Sequence, residues 1–67
     1  MMIVLNHKGH EVVTTDLRKK AMELFEEGYR FYENEGKGEK IELGDMVPPK
    51  KISDKMSLVA MRQLSGG

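Results

Sequence analysis

The residues of this 67-residue chain best suited to chemistry are its last two. Gly66 and Gly67 close the sequence behind an apolar stretch at 58–64. Neither carries a Cβ, so a diglycine can thread a narrow channel and bring an unhindered carboxylate to the α-phosphate of ATP. Adenylation and acyl transfer both need such access. Taken alone, Ser65-Gly66-Gly67 also fits a frayed terminus or a linker, because Gly and Ser are common at chain ends. Whether the diglycine is native or is exposed by removal of downstream residues is open at this level.

The remaining candidates carry less. His7 and His10 lie three apart with no third ligand nearby, so they read as turn and strand-start residues and no metal site is expected. The chain has no cysteine, which removes a thiol nucleophile, disulfides and thiolate metal sites together. No phosphate loop, catalytic triad or carboxylate pair is present, so neither intrinsic enzyme activity nor a resident cofactor is expected. Eleven basic residues balance eleven acidic ones, which argues against a dedicated nucleic-acid binder. No apolar run approaches the roughly 20 residues of a membrane span, and no secretory apolar segment follows the start. The expected location is cytoplasmic, with no membrane partner. At 39% hydrophobic and 33% charged residues the composition is that of a small globular domain. A chain this short buries only about 60% of its unfolded surface, so stability is narrow.

The elements that must position the tail follow from local pattern. Residues 1–5 are apolar, Asn6-His7-Lys8-Gly9 supplies turn chemistry, and 10–15 resume with β-branched residues. That is an N-terminal hairpin. A regular pleat puts Met1, Ile3 and Leu5 on one face and Met2 and Val4 on the other, with one set in the core. Thr15 or Asp16 can cap a helix, and Leu17, Ala21, Leu24, Phe25, Gly28, Phe31 and Tyr32 recur at three- and four-residue spacing. This predicts one long amphipathic helix ending near Gly36, with Glu26 and Arg30 paired one turn apart. Arg18, Lys19 and Lys20 crowd its positive dipole end and Glu26, Glu27, Glu33 and Glu35 its negative end, a mismatch that something else must offset. Basic residues in 37–51 are candidates, and an antiparallel self-dimer through the helix would also match the charges. Lys40-Ile41-Glu42-Leu43 alternates as a third strand, Gly44-Asp45 turns the chain, and Pro48-Pro49 leaves at most a stub of a fourth strand. Residues 56–64 fit a helix capped by Ser53 or a buried strand equally well.

This order of hairpin, helix, strand, irregular turn and apolar segment running into Gly-Gly resembles the β-grasp fold of ubiquitin and of the related bacterial sulphur carriers. Met1-Met2-Ile3-Val4-Leu5 is similar to the ubiquitin opening strand, Gly9 to its first turn, Ile41-Glu42-Leu43-Gly44 to its middle strand and turn, and Ile52-Ser53-Asp54 to the Leu-Ser-Asp segment before its last strand. Residues 57–67 are similar to its C-terminus, while Gly44-Asp45-Met46-Val47-Pro48 resembles the sulphur carriers. The resemblance implies an α+β, ubiquitin-like β-grasp domain over 1–65 and a flexible diglycine tail at 66–67.

It also implies a substrate-like carrier that is not itself a catalyst. An E1-like activating enzyme would use ATP to adenylate Gly67. Transfer to a thiol and then to an amine would give an isopeptide bond, with an E2-like enzyme and a deconjugating peptidase as further partners. Attack by a persulphide would instead give the thiocarboxylate of a sulphur carrier. By the same resemblance His7, Ile41, Met61 and Leu64 form the partner-binding patch, against the alternative that Ile41 and Met61 are core residues. Gln63 stands where ubiquitin has an arginine, which implies a dedicated activating enzyme. Lys8, Lys37, Lys50 and Lys51 are candidate acceptors for another copy. A third reading is a small non-catalytic interaction or inhibitor protein with two helices on a hairpin, which a helix at 56–64 would favour.

Overall fold

The computed structural model describes residues 1–37 and 40–62. Strand β1, Met2–Asn6, pairs antiparallel with β2, Gly9–Val13, in a register that leaves His7 and Lys8 as a two-residue loop. The Asn6 Oδ1 accepts the Lys8 N–H at 2.8 Å, as asparagine does in tight turns. Gly9 has φ +130°, which an L side chain rarely adopts. Met2 and Val4 are the buried set of β1, so Ile3 and Leu5 take the opposite face.

Helix α1 spans Leu17–Glu26 and buries Leu17, Ala21 and Leu24. It is shorter than the periodicity predicts. Gly28, at φ +98°, ends it, with the Glu27 and Gly28 N–H groups closing on the Leu24 and Phe25 carbonyls at 2.9 and 3.1 Å. Tyr29–Asn34 then forms β3, not the second half of a helix. Phe31 and Tyr32 satisfy helical spacing in sequence, but beyond Gly28 their aromatic alternation is better served by a sheet, where Tyr29 and Phe31 enter the core. Burying Phe31 contributes about 1.5–3 kcal/mol. The Glu26–Arg30 helical pair therefore does not exist. The Arg30 guanidinium instead stacks over the Phe25 ring, 4.4 Å from its centroid.

The third strand expected at 40–43 is displaced. Strand β4 is Leu43–Met46, and Gly44 and Asp45 lie inside it and do not turn the chain. Three β4 steps from Leu43 to Met46 face two on β3 from Asn34 to Tyr32, so the pair carries a bulge. Residues 40–42 are held back in the connector because the Asn34 carboxamide oxygen accepts the Gly36 and Glu42 N–H groups at 3.0 and 3.1 Å. A Cβ on Gly36 would collide with the Lys40 carbonyl, so a glycine is needed for that approach. After Val47, whose N–H bonds the Phe31 carbonyl at 2.8 Å, Pro49–Lys51 forms a 3-10 turn where the sequence left room for a strand stub.

Strand β5, Leu58–Arg62, resolves the ambiguous segment as strand within the described residues. It runs parallel to β1 and antiparallel to β3 at the centre of a mixed five-stranded sheet ordered β2-β1-β5-β3-β4. Leu58, Val59 and Ala60 are each fully buried, the continuous apolar run of a strand covered on both faces. Among the described residues 58–62 are strand, so the second helix that the interaction-protein reading expected at 56–64 does not form there. The architecture is α+β, with α1 on one sheet face over Met2, Val4, Phe31, Leu58 and Ala60. Pairing places Val12, Ile3, Val59, Tyr32 and Met46 in one row across all five strands on the other face.

The dipole mismatch is offset from a distance at the N-terminus of α1, while Glu33 and Glu35, expected at its other end, lie outside the helix. Asp16 holds the N-cap position at φ +52° but makes no side-chain cap bond. The Asp54 Oδ1 accepts the Leu17 N–H at 2.9 Å, and the Arg18 Nε donates to the Ile52 carbonyl at 3.2 Å. A carboxylate 37 residues downstream thus supplies the negative charge the first turn lacks.

Candidate functional site

The pairing of β1 with β5 sets Leu5 beside Met61, both half-buried, at the end of the sheet where the β1–β2 loop turns. Across β5, Tyr29 stands beside Arg62. Between them opens a hollow of about 480 Å³ with Leu5, Tyr29 and Met61 as apolar wall and His7, Lys8 and Arg62 as a polar, largely basic rim. It lies at the end of the described part of β5, five residues before Gly67 in the sequence.

Of the residues singled out from sequence, His7 and Met61 meet at this hollow. Ile41 does not join them: it precedes β4, the outermost strand, and β3 lies between β4 and β5. Ile41 is 40% exposed, so it is not a core residue. Leu64, Gly66 and Gly67 lie outside the described residues. Leu5, Tyr29 and Arg62 belong to the hollow but escaped the sequence reading. For Tyr29 the signal was the alternation of Tyr29, Arg30 and Phe31, masked by the helical spacing of Gly28, Phe31 and Tyr32, whereas Leu5 and Arg62 reach the hollow through strand pairing.

The hollow sets apolar contact area beside basic groups. Among the described residues no carboxylate lines it, and apolar Leu5, Tyr29 and Met61 beside Lys8 and Arg62 suit an apolar side chain flanked by acidic groups. Among the described residues no group of three or more His, Asp or Glu side chains gathers as a metal site, and no helix is long and apolar enough to cross a membrane. The candidate acceptor lysines Lys8, Lys37, Lys50 and Lys51 are all exposed. Comparison with protein families, with curated proteins and with solved structures finds no match for this chain.

Proposed function

We propose that this chain is a β-grasp protein modifier of the ubiquitin-like kind, activated at Gly67. The observation that carries the reading is the placement of β5. The final described strand is central, parallel to β1 and buried at Leu58, Val59 and Ala60, and its last described residue, Arg62, lines the hollow. A rigid strand end next to a docking surface is what an activating enzyme needs to guide a carboxylate into its nucleotide site. Five further residues can reach at most about 17 Å when extended.

In the proposed reaction the Gly67 carboxylate attacks the α-phosphorus of ATP, forming an acyl-adenylate and releasing pyrophosphate. A cysteine thiolate of the E1-like enzyme displaces AMP to give a thioester. A lysine amine then displaces the thiol, directly or after transfer to an E2-like enzyme, and an isopeptide bond results. The chain supplies the acyl group and the docking surface, and its partners supply the catalysis.

Incubation with ATP and extract from cells that express the protein tests this. A thiol-sensitive covalent adduct is expected that requires ATP and disappears when Gly67 is deleted. An adduct indifferent to ATP or to Gly67 contradicts the proposal.

The sulphur-carrier reading draws on a separate feature. Residues 44–48, which resemble those carriers, lie in β4 and the Val47-Pro48 exit, with Val47 buried in the core. It predicts exchange of one oxygen for sulphur at the C-terminal carboxylate, with no isopeptide product.

A further inference from the structure

The charges of α1 are segregated along its length in the order that costs a lone helix stability. Arg18, Lys19 and Lys20 come first and Glu23, Glu26 and the capping Glu27 last, with no acidic residue in the first turn and no basic one in the last. Asp54 takes one backbone N–H at the N-terminus and leaves these side-chain charges where they are. The Arg18 guanidinium is turned aside to the Ile52 carbonyl, so Lys19 and Lys20 are the cations that remain for a partner.

Leu17, Ala21 and Leu24 face the core. At about 100° per residue the opposite side of the helix carries Lys19, Met22, Glu23 and Glu26, all of them exposed. Met22 and Phe25, 49% and 41% exposed, lie toward one flank of that side, and Lys20, Glu23 and Glu27 lie toward the other. Two large apolar side chains are thus left on a face that is otherwise charged.

Such a face is complementary to itself when turned end for end. With two copies of α1 antiparallel about a dyad between Met22 and Glu23, Lys19 of each copy falls at the height of Glu26 of the other. A dyad perpendicular to both helix axes keeps each flank against its own counterpart. On one flank Met22 meets Met22, with Phe25 of each copy beside them. On the other, Lys20 falls between Glu23 and Glu27 of the opposite copy. The two Glu23 side chains flank the dyad, each with a Lys20 of the other copy three residues away along the axis. The antiparallel backbones also set the positive dipole end of each helix beside the negative end of the other.

We propose that two copies of this chain associate through the outer faces of α1, antiparallel about Met22 and Glu23. The acidic last turn of each copy offsets the basic first turns of the other, so an order of charges that is unfavourable within one helix becomes favourable between two. The product is layered sheet, helix, helix, sheet. A pair of 10-residue helices buries less than the roughly 1,200 Å² of a stable standard interface, so association is weak and concentration-dependent. The interface uses none of the residues that line the hollow at Met61 and Arg62, and it goes beyond the proposed modifier role.

Sedimentation equilibrium of the full chain at low and high salt, with amide chemical shifts followed from micromolar to millimolar concentration, tests this. The expected result is a monomer–dimer equilibrium with shifts concentrated at residues 19–27 and an affinity that falls as salt rises. Lys19→Glu with Lys20→Glu makes the face acidic, and Glu26→Lys with Glu27→Lys makes it basic. Both changes bring α1 into accord with its own dipole, so each variant stays folded. Each alone should self-associate about tenfold or more weakly than the native chain, and a mixture of the two should pair. A chain monomeric at all concentrations, shifts centred on β2 or β4, or a double variant that self-associates with undiminished affinity would each overturn the proposal. So would two variants that stay apart when mixed.

Discussion

Asp54 shows how much of this fold rests on single atoms placed from far away in sequence. Its carboxylate satisfies the first free N–H of α1, and the local candidate, Asp16, makes no such bond. Asp54→Ala should cost about 1–2 kcal/mol. In a domain of this size that lowers the thermal midpoint by about 4–8 °C per kcal/mol. The same measurement on Asp16→Ala separates the two carboxylates, because Asp16 has no cap bond to lose. Gly28 makes a complementary case. A Cβ there meets nothing within 4 Å, so the cost of Gly28→Ala, about 1–2 kcal/mol, comes from the backbone at φ +98° and not from packing. Thermal unfolding with an unchanged near-ultraviolet spectrum would confirm that origin.

At the scale of elements, the hairpin was legible because turn chemistry and β-branched residues agree over 1–13. The start of α1 and its buried stripe at Leu17, Ala21 and Leu24 were legible too. Its end was not: Gly28, Phe31 and Tyr32 prolong the helical spacing in sequence, and only the positive φ of Gly28 breaks it. Ile41 was misplaced for a related reason, since Lys40-Ile41-Glu42-Leu43 alternates locally while the Asn34 side chain fixes 40–42 in a connector. Strand β5 could not be separated from a helix because a run buried on both faces has no periodicity to read. Its position between β1 and β3 makes a dynamic prediction. Amide exchange should be slowest in β5, approaching the global unfolding limit, and fastest in β4 and in the exposed length of β2. Fast exchange across Leu58–Arg62 would contradict a central β5.

The described residues form one five-stranded sheet with one α-helix, and their apolar surface is distributed unevenly. One sheet face is packed under α1, whereas Val12 and Met46, at the two ends of the row on the other face, are 47% and 58% exposed. The hollow at the end of β5 adds a basic rim at Lys8 and Arg62. Reversing that rim with Lys8→Glu and Arg62→Glu should leave stability within about 0.5 kcal/mol, as for other exposed sites, and should lower ATP-dependent adduct formation about tenfold. Unchanged adduct formation would place the docking surface elsewhere. The sequence pointed to His7 and Met61 at this surface through resemblance, but the neighbours that complete it, Leu5, Tyr29 and Arg62, depend on strand pairings between distant segments.

Covalent transfer from Gly67 carries its own readout in the sequence. Trypsin cuts after Arg62, so a conjugate would leave Gln63-Leu64-Ser65-Gly66-Gly67 as a branch on the acceptor lysine. Mass spectrometry of tryptic digests from expressing cells should find lysines bearing this branch, and none when Gly67 is deleted. Recovery of those five residues only as a linear peptide with an unaltered carboxylate would contradict transfer from Gly67.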